Sequence, residues 1–309
     1  MSEHDPVSPP LSTRAKWAAS DVASVLFNRR GRRRVRLRDR AFPTLARLTP
    51  LAASGKDDLV YLLRTDDLIL GRHLYANGDF EEDVIAKAVD ALGRLTGERE
   101  PLRDRVFVDV GANIGTTVVP ALRHFGARRG VAIEPDADNV RILRCNLILN
   151  DVDGDVDVVV AAVSDQPGTV VLSRSAVNSG DHRVASASAP RSGEVVEVEA
   201  LTLDGALARS NVDVGDVGLV WMDTQGHEGH VLGGASGVLS AGTPMVTEFW
   251  PKGLAAAQGL ERFVDLASTH FSQMVDLRAA DQPVAVDAGA LHRIAGGLDD
   301  GHTDLLLLP

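Results

Sequence analysis

Eleven residues, Val106-Phe-Val-Asp-Val-Gly-Ala-Asn-Ile-Gly-Thr116, constrain this chain more than any others. An apolar run broken by a single acid, Asp109, ends at Gly111, and Gly115 stands where a helix would begin. Gly111 allows a sharp turn without a Cβ clash, and Gly115 lets the next helix start close beneath a ligand. Strand, glycine turn and helix in that order form the first unit of an open α/β sheet, which binds its ligands at the carboxyl ends of its strands.

The alternation continues downstream. Residues 131–133, 156–163, 217–223 and 244–249 are short apolar runs of the kind buried parallel strands need, and 138–149, 228–239 and 260–271 have helical character between them. Residues 173–193 are irregular, 194–201 alternate apolar and polar side chains, and 273–277 and 305–308 predict the last strands. The predicted fold is therefore a doubly wound, Rossmann-like α/β sheet, mostly parallel, over residues 101–309. Residues 56–100 predict a preamble or lid. It holds a small strand pair within 59–74, turning at Thr65-Asp66-Asp67, and a helix over 80–95 capped by Asp79.

Residues 1–55 predict a flexible basic appendage with at most a short helix over 17–27. Between Asn28 and Arg40 eight arginines face one acid, Asp39, a net +7, so the remainder of a chain of net charge −11 carries −18. That acidic body, with only 4% aromatic residues, disfavours nucleic-acid binding. No apolar run approaches the roughly 20 residues of a membrane span. A single cysteine, Cys145, excludes an intrachain disulfide and fits a reducing, cytoplasmic setting; its apolar neighbours predict a core position.

Glu134 follows Gly115 by nineteen residues and falls at the tip of the second core strand, where a carboxylate can accept both hydroxyls of a ribose. A dinucleotide motif requires a middle glycine, but Ala112 and Asn113 occupy that stretch, and Asp109 would repel a pyrophosphate. S-adenosyl-L-methionine carries a sulfonium and an ammonium and no phosphate, so Asp109, Gly111, Asn113, Gly115 and Glu134 predict its site. A nicotinamide-dependent oxidoreductase and a non-catalytic nucleoside- or partner-binding protein are the alternatives.

Val108-Asp-Val-Gly-Ala-Asn-Ile-Gly115 with Ile133-Glu-Pro135 resembles the class I S-adenosylmethionine-dependent methyltransferases, and specifically the FkbM family. Leu74-Tyr75, Gly78-Asp-Phe-Glu81, Asn178-Ser-Gly-Asp-His-Arg183, Thr202-Leu-Asp204, Met222-Asp-Thr-Gln-Gly-His-Glu228, Val231-Leu-Gly-Gly-Ala235 and Glu248-Phe-Trp-Pro251 extend the likeness across residues 60–250. The resemblance implies O-methylation of a hydroxyl on a sugar, a polyketide or another secondary metabolite.

Such a transfer needs a group that takes the hydroxyl proton. His182, in the polar loop segment, is the expected general base, because histidine titrates near neutral pH. Asp223, at a core strand end, and Glu228, just after it, are the further catalytic candidates. Asp223 and Glu228 could alternatively hold a divalent ion, but no third acidic ligand stands near them in sequence, so a metal-free route is preferred. His227, Glu248 and Trp250 are expected to line the acceptor side.

Overall fold

The computed structural model describes residues 33–185, 193–279 and 282–309. Its first element is a helix, α1 (33–48). A hairpin of β1 (Leu51–Lys56) and β2 (Leu59–Arg64) follows, then α2 (Leu70–Asn77) and α3 (Glu82–Thr96). The core alternates β3 (Val106–Val110), α4 (Val118–Arg123), β4 (Arg129–Ile133), α5 (Ala137–Leu149) and β5 (Val156–Val159). An excursion then builds β6 (Ala162–Val163), β7 (Gly168–Arg174), β8 (Arg183–Val184) and β9 (Glu194–Leu201). The chain returns through α6 (Leu203–Arg209), β10 (Val217–Met222), α7 (Glu228–Gly233), α8 (Ser236–Ser240), β11 (Met245–Phe249), α9 (Pro251–Ala256) and α10 (Leu260–His270). It closes with β12 (Gln273–Asp276), β13 (Val284–Ala285), α11 (Ala288–Gly297) and β14 (Thr303–Leu308).

Eight strands form the main sheet in the order β13-β12-β14-β11-β10-β3-β4-β5. The five from β11 to β5 are parallel, and β14 runs antiparallel between β11 and β12. The order reverses between β3 and β10, so the crevice of this α/β sheet opens beyond their carboxyl ends. Alternate residues serve opposite faces. Val106, Val108 and Val110 pack with Val220 and Met222 against the layer of α6, α7 and α10, while Phe107, Leu219 and Trp221 pack toward α3, α4 and α5. Both faces are apolar because both are covered, which is why these strands read as continuous hydrophobic runs.

Four expectations are corrected here. The run 156–163 is two strands: β5 pairs with β4, and β6 leaves for a second sheet of order β6-β9-β7-β8. The helix over 228–239 is broken into α7 and α8 around Gly234, where a Cβ would sit 2.2 Å from Ser164 O. The hairpin of the preamble turns at Asp57-Asp58, and the expected turn at residues 65–67 leads instead into α2. Asp79 does not cap α3; it pairs with Lys56, and Glu81 (φ +56) takes the cap position.

The appendage also differs from its expectation over residues 33–55. α1 is anchored by Phe42, fully buried and 5.6 Å from the Tyr75 ring, and by an ion pair from Arg72 to Asp39. β1 begins at Leu51, ahead of the expected boundary. The expected helix over 17–27 lies outside the described residues. Cys145 is exposed on α5, because buried Ile142, Leu143, Asn146 and Leu147 mark the inward face and 145 falls outside it. Among the described residues no helix is long and apolar enough to cross a membrane.

Candidate active site

A cleft of about 470 Å³ opens at the carboxyl ends of β3, β4, β10 and β11 and is covered by the segment from Asn178 to Val184. Asp109, Gly111, Asn113, Glu134, His182, Asp223, His227, Glu248 and Trp250 all line it, so nine of the eleven expected site residues meet in one cavity. Gly115 and Glu228 do not line it.

At the β3–β4 end, acids are held by backbone donors. Asp109 is buried and its Oδ2 accepts from Val118 N at 3.1 Å, the first residue of α4. Glu134 accepts from Asn113 N (2.9 Å) through Oε2 and from Asp136 N (2.8 Å) through Oε1. Burial pushes Asp109 up to about 8, against the Val118 bond and with added repulsion from Asp223 and Glu134. Burial likewise raises Glu134 to about 7, opposed by the two amides. Asn113 adopts φ +48, which turns its N–H toward Glu134, and its enclosed Oδ1 has no partner among the described residues. Asn139, on α5, donates its Nδ2 to Ser179 O at 3.2 Å and thereby ties the covering segment to this end.

The two glycines serve the chain itself. Gly111 (φ +88) faces β10, and a Cβ there would stand 1.9 Å from Asp223 O. Gly115 (φ +91) faces α5, where a Cβ would meet Leu143 Cδ1 at 2.8 Å; its role is to let α5 pack over the turn, which corrects its assignment as a ligand-side position.

The other end lies where β10 and β11 finish. Gln225, in a left-handed conformation (φ +55), donates Nε2 to Asp223 Oδ1 (2.8 Å) and to Glu248 Oε2 (3.2 Å). Behind them Glu228 is completely buried. Its Oε1 accepts from Thr224 N (2.9 Å), Thr224 Oγ1 (3.0 Å) and Gly226 N (3.1 Å), and its Oε2 has no partner among the described residues. One oxygen each from Asp223, Glu228 and Glu248 lie within 4.8 Å of one another. Burial first, and then mutual repulsion, hold Asp223 and Glu248 well above the usual carboxylate range; burial raises Glu228 too. Glu248 thus supplies the third carboxylate that sequence order hid, since it arrives from the neighbouring parallel strand.

Trp250 closes this end, its Nε1 donating to Asp300 O at 3.3 Å and the Arg183 guanidinium stacked 4.4 Å from its ring. His302 stands 3.7 Å from Glu248 Oε1, with its imidazole pushed down by burial. Arg183 and Gln225 lie within sequence motifs in which only His182, Asp223, His227 and Glu228 have assigned roles; Asn139 and His302 carry no signal in the sequence.

The histidines are constrained. His182 Nδ1 accepts from Ser175 N at 3.1 Å, which leaves the proton of the neutral ring on Nε2, 3.9 Å from Asp136 Oδ2. Burial lowers its pKa. With its lone pair engaged, His182 offers no free basic nitrogen to the cleft. His227 Nε2 lies 3.0 Å from Ser164 Oγ and its ring stacks on His230; burial pulls it to about 3, so it is neutral at physiological pH.

The chain shares 15% identity with the FkbM methyltransferase of Methylobacillus flagellatus KT, over 86% of this chain and 58% of that one, with a TM-score of 0.41. It is 12% identical to M. jannaschii TYW2, solved with AdoMet, over 84% and 85% of the two chains (TM-score 0.43). It is 13% identical to P. horikoshii TYW2, solved with MeSAdo, over 84% and 72% (TM-score 0.40). A search of the curated proteins found no match. The Methyltransferase FkbM domain model matches residues 109–271, from the acid of β3 to the residue after α10. With more than half its length so matched, the chain belongs to the FkbM family of class I S-adenosylmethionine-dependent methyltransferases.

Proposed function

We propose that this protein transfers a methyl group from S-adenosylmethionine to a hydroxyl of a small-molecule acceptor, a sugar, polyketide or similar metabolite. The observation that carries the reading is one continuous cleft with two chemically different ends. The β3–β4 end suits the cofactor. Its acids, Asp109 and Glu134, favour a cationic ligand without phosphate, and the sole arginine or lysine lining the cleft among the described residues, Arg183, is stacked on Trp250 at the far end. Glu134 would hold the ribose hydroxyls, with Asn113 Oδ1 offering a further acceptor.

When bound, the cofactor supplies an electrophilic methyl on a positively charged sulfur. The chain's residues supply orientation and proton removal. Gln225 and Trp250 shape the acceptor end, and the hydroxyl proton would leave toward the Asp223 carboxylate as the methyl passes from sulfur to oxygen, the carbon–sulfur bond breaking as the oxygen–carbon bond forms. The burial-raised affinity of Asp223 for a proton suits that role at neutral pH. His182, with its lone pair engaged by Ser175, acts at the cofactor end as a structural member of the covering segment. The acidic body disfavours a nucleic-acid acceptor, and a single-cysteine sequence fits the cytoplasm.

The test combines calorimetry with a labelled-methyl screen. S-adenosylmethionine should bind one per chain, and label should pass to a hydroxylated acceptor in a panel of sugars and polyketides. Tight NADH binding with none by S-adenosylmethionine would return the oxidoreductase alternative.

A further inference from the structure

Asp223, Glu228 and Glu248 come together at the ends of β10 and β11, with one oxygen of each within 4.8 Å of the others. Two features mark the cluster as more than an acidic patch. Glu228 Oε1 accepts from three donors, yet Oε2 is fully enclosed with no partner among the described residues. A buried, unpartnered carboxylate oxygen is costly, and an ion is one of its recognised explanations. Since Oε1 is engaged by the Thr224–Gly226 turn, Oε2 is the oxygen left for the meeting point with Asp223 and Glu248.

The second feature is the missing counter-charge. Among the described residues no lysine or arginine forms an ion pair with any of the three. Arg278 is divided between Glu81 and Asp304, and Arg183 is stacked on Trp250. His302 stands 3.7 Å from Glu248 Oε1 and is not a permanent cation. Gln225 contributes one amide nitrogen to two carboxylates, too little to balance three.

We propose that Asp223, Glu228 and Glu248 form a binding site for a hard divalent cation, magnesium or manganese, at the acceptor end of the cleft. Oxygen-only ligands exclude a thiolate-seeking metal, and three carboxylate oxygens leave coordination positions for water and for a hydroxyl. Glu228 stands behind the site while Asp223 and Glu248 face the cleft, so the cation would lie between the buried carboxylate and the acceptor. There it would lower the pKa of a coordinated hydroxyl and so reduce the basicity required of the protein. Cation binding stands on the cluster alone; its use in catalysis rests on the methyltransferase reading.

The experiment titrates manganese into the metal-stripped full chain, without cofactor, and follows the free-ion signal by electron paramagnetic resonance. One manganese should bind per chain and magnesium should displace it. Asp223→Asn and Glu248→Gln should each raise the manganese dissociation constant at least tenfold, while Asp265→Asn, on the exposed face of α10, should leave it unchanged. Circular dichroism melts confirm that each variant is folded; the near-isosteric pair is chosen because Glu228→Gln would also disturb the 224–226 turn. Absence of manganese binding at millimolar concentration, or binding indifferent to both variants, would overturn the site. Full methyl transfer after chelation would overturn its catalytic use, and failure of S-adenosylmethionine to bind would instead strike the methyltransferase reading.

Discussion

The two ends of the cleft solve the burial of acid in opposite ways. At the β3–β4 end each carboxylate meets backbone amides: Val118 N for Asp109, Asn113 N and Asp136 N for Glu134. At the β10–β11 end only Glu228 Oε1 is held by backbone amides; Asp223 and Glu248 share a single amide group from Gln225, and Glu228 Oε2 has no partner among the described residues. Backbone amides fix Asp109 and Glu134 in place as ligand-holding groups, whereas Asp223 and Glu248, which no backbone amide holds among the described residues, are poised to take a proton or a cation. The difference separates holding the cofactor from acting on the acceptor.

The largest effect expected from that division is on Asp223. Asp223→Asn should lower kcat by about 10²–10⁴-fold, the range of a positioned acid or base, with cofactor affinity little changed in calorimetry. The matching change at the other end, His182→Gln, should spare kcat and its pH profile because the Nδ1 lone pair already serves Ser175. If instead His182→Gln produced the large loss and erased a limb near pH 6 to 7, the proton would be taken by the histidine and the division of labour would fail.

Next in size is Glu134. Glu134→Ala should weaken S-adenosylmethionine binding by about 1.5–3 kcal/mol, the worth of hydrogen bonds to a charged group, and leave acceptor KM near the parent value. A variant that bound cofactor normally but lost acceptor affinity would reverse the roles of the two ends.

These residues were unequally legible in the sequence. Local order announces β3, its glycines and Glu134, because a strand, a turn and the next strand tip bring them together within thirty residues. It announces the parallel core too, since strands covered on both faces must be apolar. The third carboxylate was hidden because β10 and β11 are joined through α7 and α8, so Glu248 becomes a neighbour of Asp223 only through the register Met222↔Thr247. Spacing also misassigned Gly115, whose need for a missing Cβ comes from Leu143 on α5. Cys145 went astray for a related reason: apolar neighbours at 142, 143 and 147 fix the buried face of a helix, and exposed Ile148 shows that not every apolar residue shares it.

A smaller effect should appear in the pH dependence of the free protein. Asp109 has its pKa raised to about 8 by burial, above the roughly 3.9 of an unfolded chain, so between those values the folded state holds a proton that the unfolded state has released. Stability from this group is therefore full below about pH 4 and is lost as pH rises toward 8, with a slope of at most about 1.4 kcal/mol per pH unit. The melting temperature of the cofactor-free chain should fall over that window, and Asp109→Asn should flatten the fall. A wild-type profile already flat from pH 5 to 8 would mean that the amide-held end is better solvated than its burial implies.

The smallest effect concerns how the ends are kept in one cavity. Arg183 reaches from the covering segment to Trp250, past the end of β11, and its guanidinium lies 4.4 Å from the ring. The same segment is bound to the cofactor end through Ser179 O and Asn139 Nδ2, so it spans the cleft with one anchor on each side. Cation–π contact at a partly exposed site is worth about 0.5–1 kcal/mol, which sets the expectation for Arg183→Ala: acceptor KM up about two- to fivefold, with kcat and cofactor affinity close to wild type. Arg183→Lys should recover part of the loss, since an ammonium keeps the charge but not the planar stacking. Were cofactor affinity to fall as much as acceptor affinity, the segment would be gripping both ligands as a unit, and the two ends of the cleft would be coupled through Arg183 rather than merely joined by it.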